Sequence, residues 1–291
     1  MEIRSYGCDS EENSMKAHIW LVVLSFWALS AYAGTIDVNL GTAGSFAVLA
    51  GSTATNTGST VVDGDLGVYS SGGADAVTGF PPGVVNGTIY ATGYEPVVTA
   101  MQAQGDLTTA YNYAAGLAPT QVLTGENLGG LTLTPGVYFF ASTAELTGTL
   151  TLNAEGESDA VFVFQIKSAL TTASDSSVVF ENGGQGGSVF WQVGSSATLG
   201  TSTEFAGSIL ALTSITLNTD ASITCGRALA QNGAVTMDAN TVSINDTGGC
   251  EATTGGGTVP EPGTATLLSM GLLLGLMVYG RQSRKQAFSR R

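Results

Sequence analysis

Apolar and polar residues alternate in short bursts along most of this chain, and five of the bursts share one form. A small or hydroxyl residue is followed by an apolar or small residue, then threonine, then a further apolar or small residue. The segments are Thr149-Leu150-Thr151-Leu152, Ala169-Leu170-Thr171-Thr172, Ser196-Ala197-Thr198-Leu199, Ser214-Ile215-Thr216-Leu217 and Ala234-Val235-Thr236-Met237. Their central threonines are spaced by 20, 27, 18 and 20 residues. Strand side chains alternate between faces, so Leu150, Leu170, Ala197, Ile215 and Val235 are expected to point inward and the threonines outward. A repeat of this size predicts solenoid coils, each unable to bury its apolar face alone and stacked on its neighbours. Stacked strands lie roughly 4.7–4.9 Å apart. The outward residues then form two files on one flat wall, Thr149, Ala169, Ser196, Ser214 and Ala234 in the first and Thr151, Thr171, Thr198, Thr216 and Thr236 in the second.

Other strands are read at Ser45–Ala50, Val61–Gly67, Val84–Tyr90, Gly136–Phe140, Ala160–Ile166 and Ser188–Val193. The aromatic residues of these runs are expected to fill the solenoid interior or lie under a helix. The period changes once, between Pro96 and about Ala118, where Val97, Met101, Leu107, Ala110, Tyr111, Ala114 and Leu117 fall near helical spacing. Glu95 and Pro96 mark the start of this helix and Pro119 its end. Its apolar stripe is expected to brace the side of the solenoid.

Composition narrows the class. Charged residues are 11% of the chain, hydrophobic residues 43%, and there are 40 glycines. A disordered chain would be more polar and more charged, whereas abundant glycine suits a chain that turns a corner every few residues. Between Gly34 and Val259 there are 18 acidic residues against Lys167 and Arg227, a net charge of −16. That argues against nucleic acid, which needs a basic footprint. Arg227 is expected to pair with a carboxylate near a coil edge.

The termini read as addresses. Residues 1–14, with Cys8, precede a second possible start at Met15, and they are either a mis-called start or an extended leader. Lys16 and His18 then lead into the apolar run Ile19–Leu29, and Ala31-Tyr32-Ala33 forms an A-x-A cleavage site, so the mature chain is expected to begin at Gly34. Export to an oxidising compartment favours a disulfide between Cys225 and Cys250, with two buried free thiols as the other reading. Enzymatic readings fare poorly. The single histidine, His18, lies in the leader, so a mature Ser–His triad or a histidine-ligated metal is excluded. Asp63-Gly64-Asp65 reads as a turn rather than a calcium loop. No enzyme activity, cofactor or metal is expected.

The far terminus carries Pro260-Glu261-Pro262, the apolar run Thr264–Gly280, and Arg281, Arg284 and Lys285. This order resembles the PEP-CTERM sorting signal of bacteria that build an extracellular matrix. The resemblance implies cutting near Pro260-Glu261-Pro262 by a membrane-embedded exosortase and release to the surface or medium, with a permanent membrane anchor as the alternative.

A second resemblance spans nearly the whole mature segment. Leu40–Ala50, Gly64-Asp65-Leu66-Gly67-Val68, Leu131–Tyr138, Phe162–Ile166 and Gly226–Met237 are similar to the microbial ice-binding protein family. The resemblance implies a mainly β fold, a right-handed β-solenoid of roughly triangular section with one long helix along a side. It also implies N-terminal coils lying next to C-terminal ones, and ice bound by a flat β face. Ser52-Thr53-Ala54-Thr55 then adds Thr53 and Thr55 to the threonine wall.

The chemistry agrees with ice as the partner. Ice offers an uncharged hydroxyl lattice, and none of the pattern residues is charged. Threonine presents a methyl group and a hydroxyl on a side chain stiff at χ1, so little entropy is lost on adsorption. A lone strand of this kind would read as an ordinary solvated β face. The expected organisation is a leader over 1–33, a solenoid over 34–247, a Gly/Thr linker over 248–259 and the sorting signal over 260–291. The expected function is a secreted, monomeric, non-enzymatic ice binder. A matrix or adhesive solenoid that binds carbohydrate or cell surfaces is the alternative.

Overall fold

The computed structural model describes residues 36–69, 76–157, 159–183 and 188–244, so the leader, the linker with Cys250 and the sorting signal lie outside the described residues. The unit that begins at Leu40 holds every strand and the long helix. No helix among the described residues is long and apolar enough to cross a membrane.

In chain order the first strands are β1 (Phe46–Ala50), β2 (Ala54–Thr57), β3 (Val61–Asp63), β4 (Asp65–Val68), β5 (Val77–Thr78), β6 (Val84–Val85) and β7 (Ile89–Tyr90). Helix α1 (Val98–Gly116) follows. Next come β8 (Gln121–Val122), β9 (Thr132–Leu133), β10 (Gly136–Phe140), β11 (Ala144–Leu146), β12 (Thr149–Asn153), β13 (Phe162–Ile166), β14 (Leu170–Thr172) and β15 (Ser177–Glu181). The last are β16 (Val189–Val193), β17 (Ala197–Leu199), β18 (Glu204–Ala211), β19 (Ile215–Leu217), β20 (Ser222–Ala230), β21 (Val235–Asp238) and β22 (Thr241–Ser243).

These strands pair in parallel as a β-solenoid with three walls. The helix-bearing wall runs β8-β10-β13-β16-β18-β20-β1-β4-β7. The threonine wall runs β11-β14-β17-β19-β21-β2-β5. The third wall runs β9-β12-β15-β18-β20-β22-β3-β6. The coil order is discontinuous, as expected, because β1 and β2 pair directly with β20 and β21.

Strands β18 and β20 serve two walls by bending at Gly207 and Gly226, where the register between them shifts. Gly207 has φ +95°, and a Cβ on Gly226 would lie 2.0 Å from the Gly207 carbonyl oxygen, so the coils can approach at this corner only without side chains. The corner between the threonine wall and the third wall is turned instead by left-handed residues. Asp175, Ser202, Asp220 and Ala239, with φ from 53° to 60°, each stand two residues ahead of a third-wall strand. Aspartate visits this conformation readily, whereas alanine does so at a cost. Inside the corner, buried polar side chains bond from coil to coil. Asn240 donates to the carbonyls of Asn218 and Ala221 at 2.8 and 2.9 Å, and the hydroxyls of Thr172 and Thr203 meet at 2.8 Å.

The interior is aromatic at one end. Phe164 stacks on Trp191 with centroids 3.9 Å apart, flanked by Tyr138 at 5.4 Å and Phe205 at 4.9 Å. The Trp191 indole N–H donates to the Ala206 carbonyl at 3.0 Å. Alternation splits each strand between core and helix: Phe162, Phe164 and Ile166 face inward, while Gln165 donates to the Ala114 and Leu117 carbonyls of the helix end at 2.7 and 2.8 Å.

Helix α1 lies along this wall, yet its buried stripe is Ala100, Ala103, Gln104, Leu107, Ala110 and Ala114. Met101, expected in the stripe, is 43% exposed. A flat wall admits a helix closely only where the side chains are small, and alanines supply that fit. The helix start lacks a side-chain cap, with Val97 at the N-cap position rather than Glu95. Asp106 anchors it laterally by accepting from the Thr42 amide at 2.8 Å and hydroxyl at 2.6 Å. Those bonds hold its carboxyl below the usual carboxylate value.

Arg227 also departs from expectation. Its guanidinium donates twice to the Gly44 carbonyl, at 3.0 and 2.7 Å, and once to the Ser208 hydroxyl at 3.3 Å, rather than pairing with a carboxylate. Burial pulls its pKa down from the ordinary value. Asp63 and Asp65 behave as turn residues, accepting from Ser243 Oγ and the Thr88 amide. Cys225 is buried and disulfide-bonded, and its expected partner Cys250 lies outside the described residues.

Candidate functional site

On the threonine wall the inward residues Leu170, Ala197, Ile215, Val235 and Ala54 are fully buried, which leaves the alternating positions to solvent. Register makes one continuous outward file: Glu145, Thr171, Thr198, Thr216, Thr236, Thr55 and Thr78, each paired with the next across neighbouring strands. Six threonines therefore follow one another without a break. At a strand spacing of about 4.8 Å they span about 24 Å. Thr171, Thr236 and Thr78 are exposed and Thr198, Thr216 and Thr55 half-buried. The Thr55 and Thr236 hydroxyls lie 3.4 Å apart. Beside this file stands a second one of smaller residues, Ala169, Ser196, Ser214, Ala234 and Thr53, joined coil to coil through their backbone carbonyls.

The arrangement brings together ten of the twelve residues expected to form the wall and separates two. Thr149 and Thr151 stand on β12, which pairs with β9 and β15 in the third wall, not with β14. β14 pairs with β11, so the place expected for Thr151 is held by Glu145. The reason is the short connection from β11 to β12, Thr147-Gly148, where Gly148 at φ +90° turns the chain onto the next wall. Alternation around Thr149 to Leu152 is as expected, but the wall is different.

Thr78 is the member that the sequence reading missed. Its segment, Ala76-Val77-Thr78, has the same form as Ala234-Val235-Thr236, so the signal was present. Gly79 follows at φ +83°, and a Cβ there would lie 2.0 Å from the Asn56 carbonyl oxygen. Glu145 closes one end of the file, and the stretch from Thr171 to Thr78 carries no ionised group.

The third wall has a file of its own: Thr149, Ser177, Glu204, Ser222, Thr241, Val61 and Val84. The Thr149 and Ser177 hydroxyls lie 2.9 Å apart. Among the described residues no cluster of histidine, cysteine or carboxylate side chains could hold a metal ion. Chemically, then, whereas the third wall turns Glu204, Glu181 and Asp63 outward, the threonine file offers methyl groups and hydroxyls on a rigid plane. That is a surface to be adsorbed rather than a cleft to hold a reaction.

Comparison with known proteins agrees with this geometry. Residues 48–243 match the model of the family described as ice-binding-like, and residues 258–285 match the PEP-CTERM protein-sorting motif. An ice-binding protein of Nostoc sp. (strain HG1) is 52% identical over 267 residues, covering 91% of this chain and 94% of the relative. The crystal structure of an ice binding protein from an Antarctic biological consortium is similar at a TM-score of 0.66 and 46% identity, over 72% of this chain and 91% of that one. That of an ice-binding protein from the Antarctic ascomycete Antarctomyces psychrotrophicus is similar at a TM-score of 0.66 and 39% identity, over 72% of this chain and all of the other. With its solenoid matched across nearly every coil and its sorting motif beyond, the chain belongs to the ice-binding-like family.

Proposed function

We propose that this protein is exported and adsorbs to ice through the threonine wall, slowing the growth and recrystallisation of ice around the cell. The observation that carries the reading is the unbroken file Thr171, Thr198, Thr216, Thr236, Thr55 and Thr78 on a ladder in register. A charged side chain holds its own hydration shell and competes with a lattice of neutral hydroxyls. A β-branched hydroxyl residue on a strand does not, and it loses little freedom on contact. Adsorbed molecules pin the growth front, which must then curve between them, and the local freezing point falls. The smaller file of Ala169, Ser196, Ser214, Ala234 and Thr53 keeps the plane level beside the threonines.

Export is supported by the sorting motif at 258–285. In the finer reading the leader is removed near Ala33, and an exosortase cuts near Pro260-Glu261-Pro262. The released domain covers about 34–247, with 248–259 as its linker, and works as a monomer without a cofactor or enzymatic activity. Cys225 joins Cys250, clamping the exit segment to β20, and mass spectrometry of the unreduced secreted protein reads that bond directly.

The test is thermal hysteresis and crystal habit with the secreted protein. Faceted crystals and a freezing point held below the melting point are expected. Round discs with no hysteresis overturn the reading and favour the matrix-adhesion alternative.

A further inference from the structure

We propose that the groove between helix α1 and the neighbouring coil corner binds a neutral saccharide. The helix contributes Met101, Gln104, Gly105 and Thr108, which share one face at helical spacing. Opposite them stand Tyr69, Gln231 and Asn232, where β1 leads to β2 and β20 leads to β21. The groove encloses about 660 Å³, within the range of small-molecule sites. Gly105 lies inside the helix, yet a Cβ there would meet nothing within 4 Å. Neither packing nor a left-handed backbone calls for glycine, which weakens a helix. Its missing side chain leaves the groove open.

The lining fits a ligand of hydroxyls and no charge. No acidic or basic side chain lines it to hold an ammonium or a phosphate group. The net charge of −16 between Gly34 and Val259 repels acidic ligands as well. Amide groups supply the polar contacts. Gln104 is nine-tenths buried and donates through Nε2 to the Ala230 carbonyl at 3.0 Å, and Asn232 donates to the Leu212 carbonyl at 2.9 Å. Both amides are thereby fixed, and their oxygens remain for ligand hydroxyls. Gln231 accepts from the Thr108 hydroxyl at 3.5 Å, while its Nε2 is buried without a partner. A small turn of that side chain offers the nitrogen to a hydroxyl in the groove. Tyr69, 42% exposed, supplies an uncovered ring for the apolar face of a sugar. One ring and one thioether among amides are too little apolar surface for a protein partner's buried core.

The test titrates the secreted protein with cellotriose, maltotriose and mannotriose, and with polygalacturonate as the acidic comparison, by calorimetry. At least one neutral trisaccharide is expected to bind in the millimolar range or tighter. Gly105→Leu fills the groove and favours the helix, so binding should weaken about tenfold or more at an unchanged or higher melting temperature. Tyr69→Ala should weaken it as well, and Thr216→Glu on the threonine wall should leave it unaltered. Failure of all three trisaccharides, equal binding by Gly105→Leu, or tighter binding of polygalacturonate overturns the proposal. Thermal hysteresis is read separately, so loss of this groove leaves the ice-binding reading standing.

Discussion

The threonine wall and the third wall are built from the same chain by the same parallel ladder, and each carries one glutamate in its longest outward file. In the threonine wall that residue is Glu145, at the end strand β11. In the third wall it is Glu204, with Ser177 on one side and Ser222 on the other. The first placement leaves six threonines consecutive, and the second leaves no more than four uncharged residues together. The third wall also turns Glu181 and Asp63 outward, so the two walls differ in charge as well as in the length of uninterrupted, level surface. Against an extended lattice the hydration shell of a single carboxylate holds off its neighbours as well as itself.

Breaking the favoured wall should give the largest effect. Ser214→Tyr raises a ring above the plane beside Thr216 without touching the core, and it should remove nearly all thermal hysteresis while the melting temperature stays within a degree or so of wild type. Moving a charge comes next. Thr216→Glu reproduces in the threonine wall the interruption that Glu204 makes in the third, and most of the hysteresis should go; full activity would show that charge position is irrelevant.

The helix-bearing wall sharpens the contrast from outside. Leu107 is fully buried whereas Met101 is 43% exposed. Leu107→Asp should destabilise folding by about 3 kcal/mol or more, from lost burial plus a buried charge, and Met101→Asp should cost well under about 1 kcal/mol. Both should keep wild-type hysteresis per folded molecule, as read by denaturation curves alongside activity.

The smallest effect concerns pH. Thr42 lowers the Asp106 carboxyl pKa chiefly through its hydroxyl, then through its amide, with a further hydrogen bond from Gln102. A depressed carboxylate contributes stability that is present above its unfolded pKa and lost as pH falls through the folded value. Melting temperature should therefore decline more steeply below the ordinary carboxylate range in wild type than in Asp106→Asn. Because Asp106 is only partly buried, the difference should be modest.

Much of the wall was legible. Period-2 alternation identified Thr171, Thr198, Thr216 and Thr236, and the resemblance to ice-binding proteins added Thr53 and Thr55. The helix emerged from its change of period, two residues longer at each end than observed. What failed shares one character. Met101 fell on a helical stripe by spacing, but the wall beneath has room only for Ala100, Ala103 and Ala110 on that side. A carboxylate was sought for Arg227, yet the backbone of Gly44 met it first.

The chain's own pattern determined that it coils, which side chains face outward, that the threonine file carries little charge, and that a sorting motif follows the solenoid. Alternation is local: it reports inside from outside within a strand and holds for Thr149-Leu150-Thr151 as well as for Ser214-Ile215-Thr216. It does not report the wall. That depends on how many residues each corner uses and where a left-handed residue such as Gly148 turns the chain. It also depends on the pairing of β2 with β21, whose paired residues Thr55 and Thr236 lie far apart in the sequence. Only the tertiary structure brings those strands into one ladder, because hydrogen bonds between coils, not neighbours in the chain, decide which threonines stand side by side.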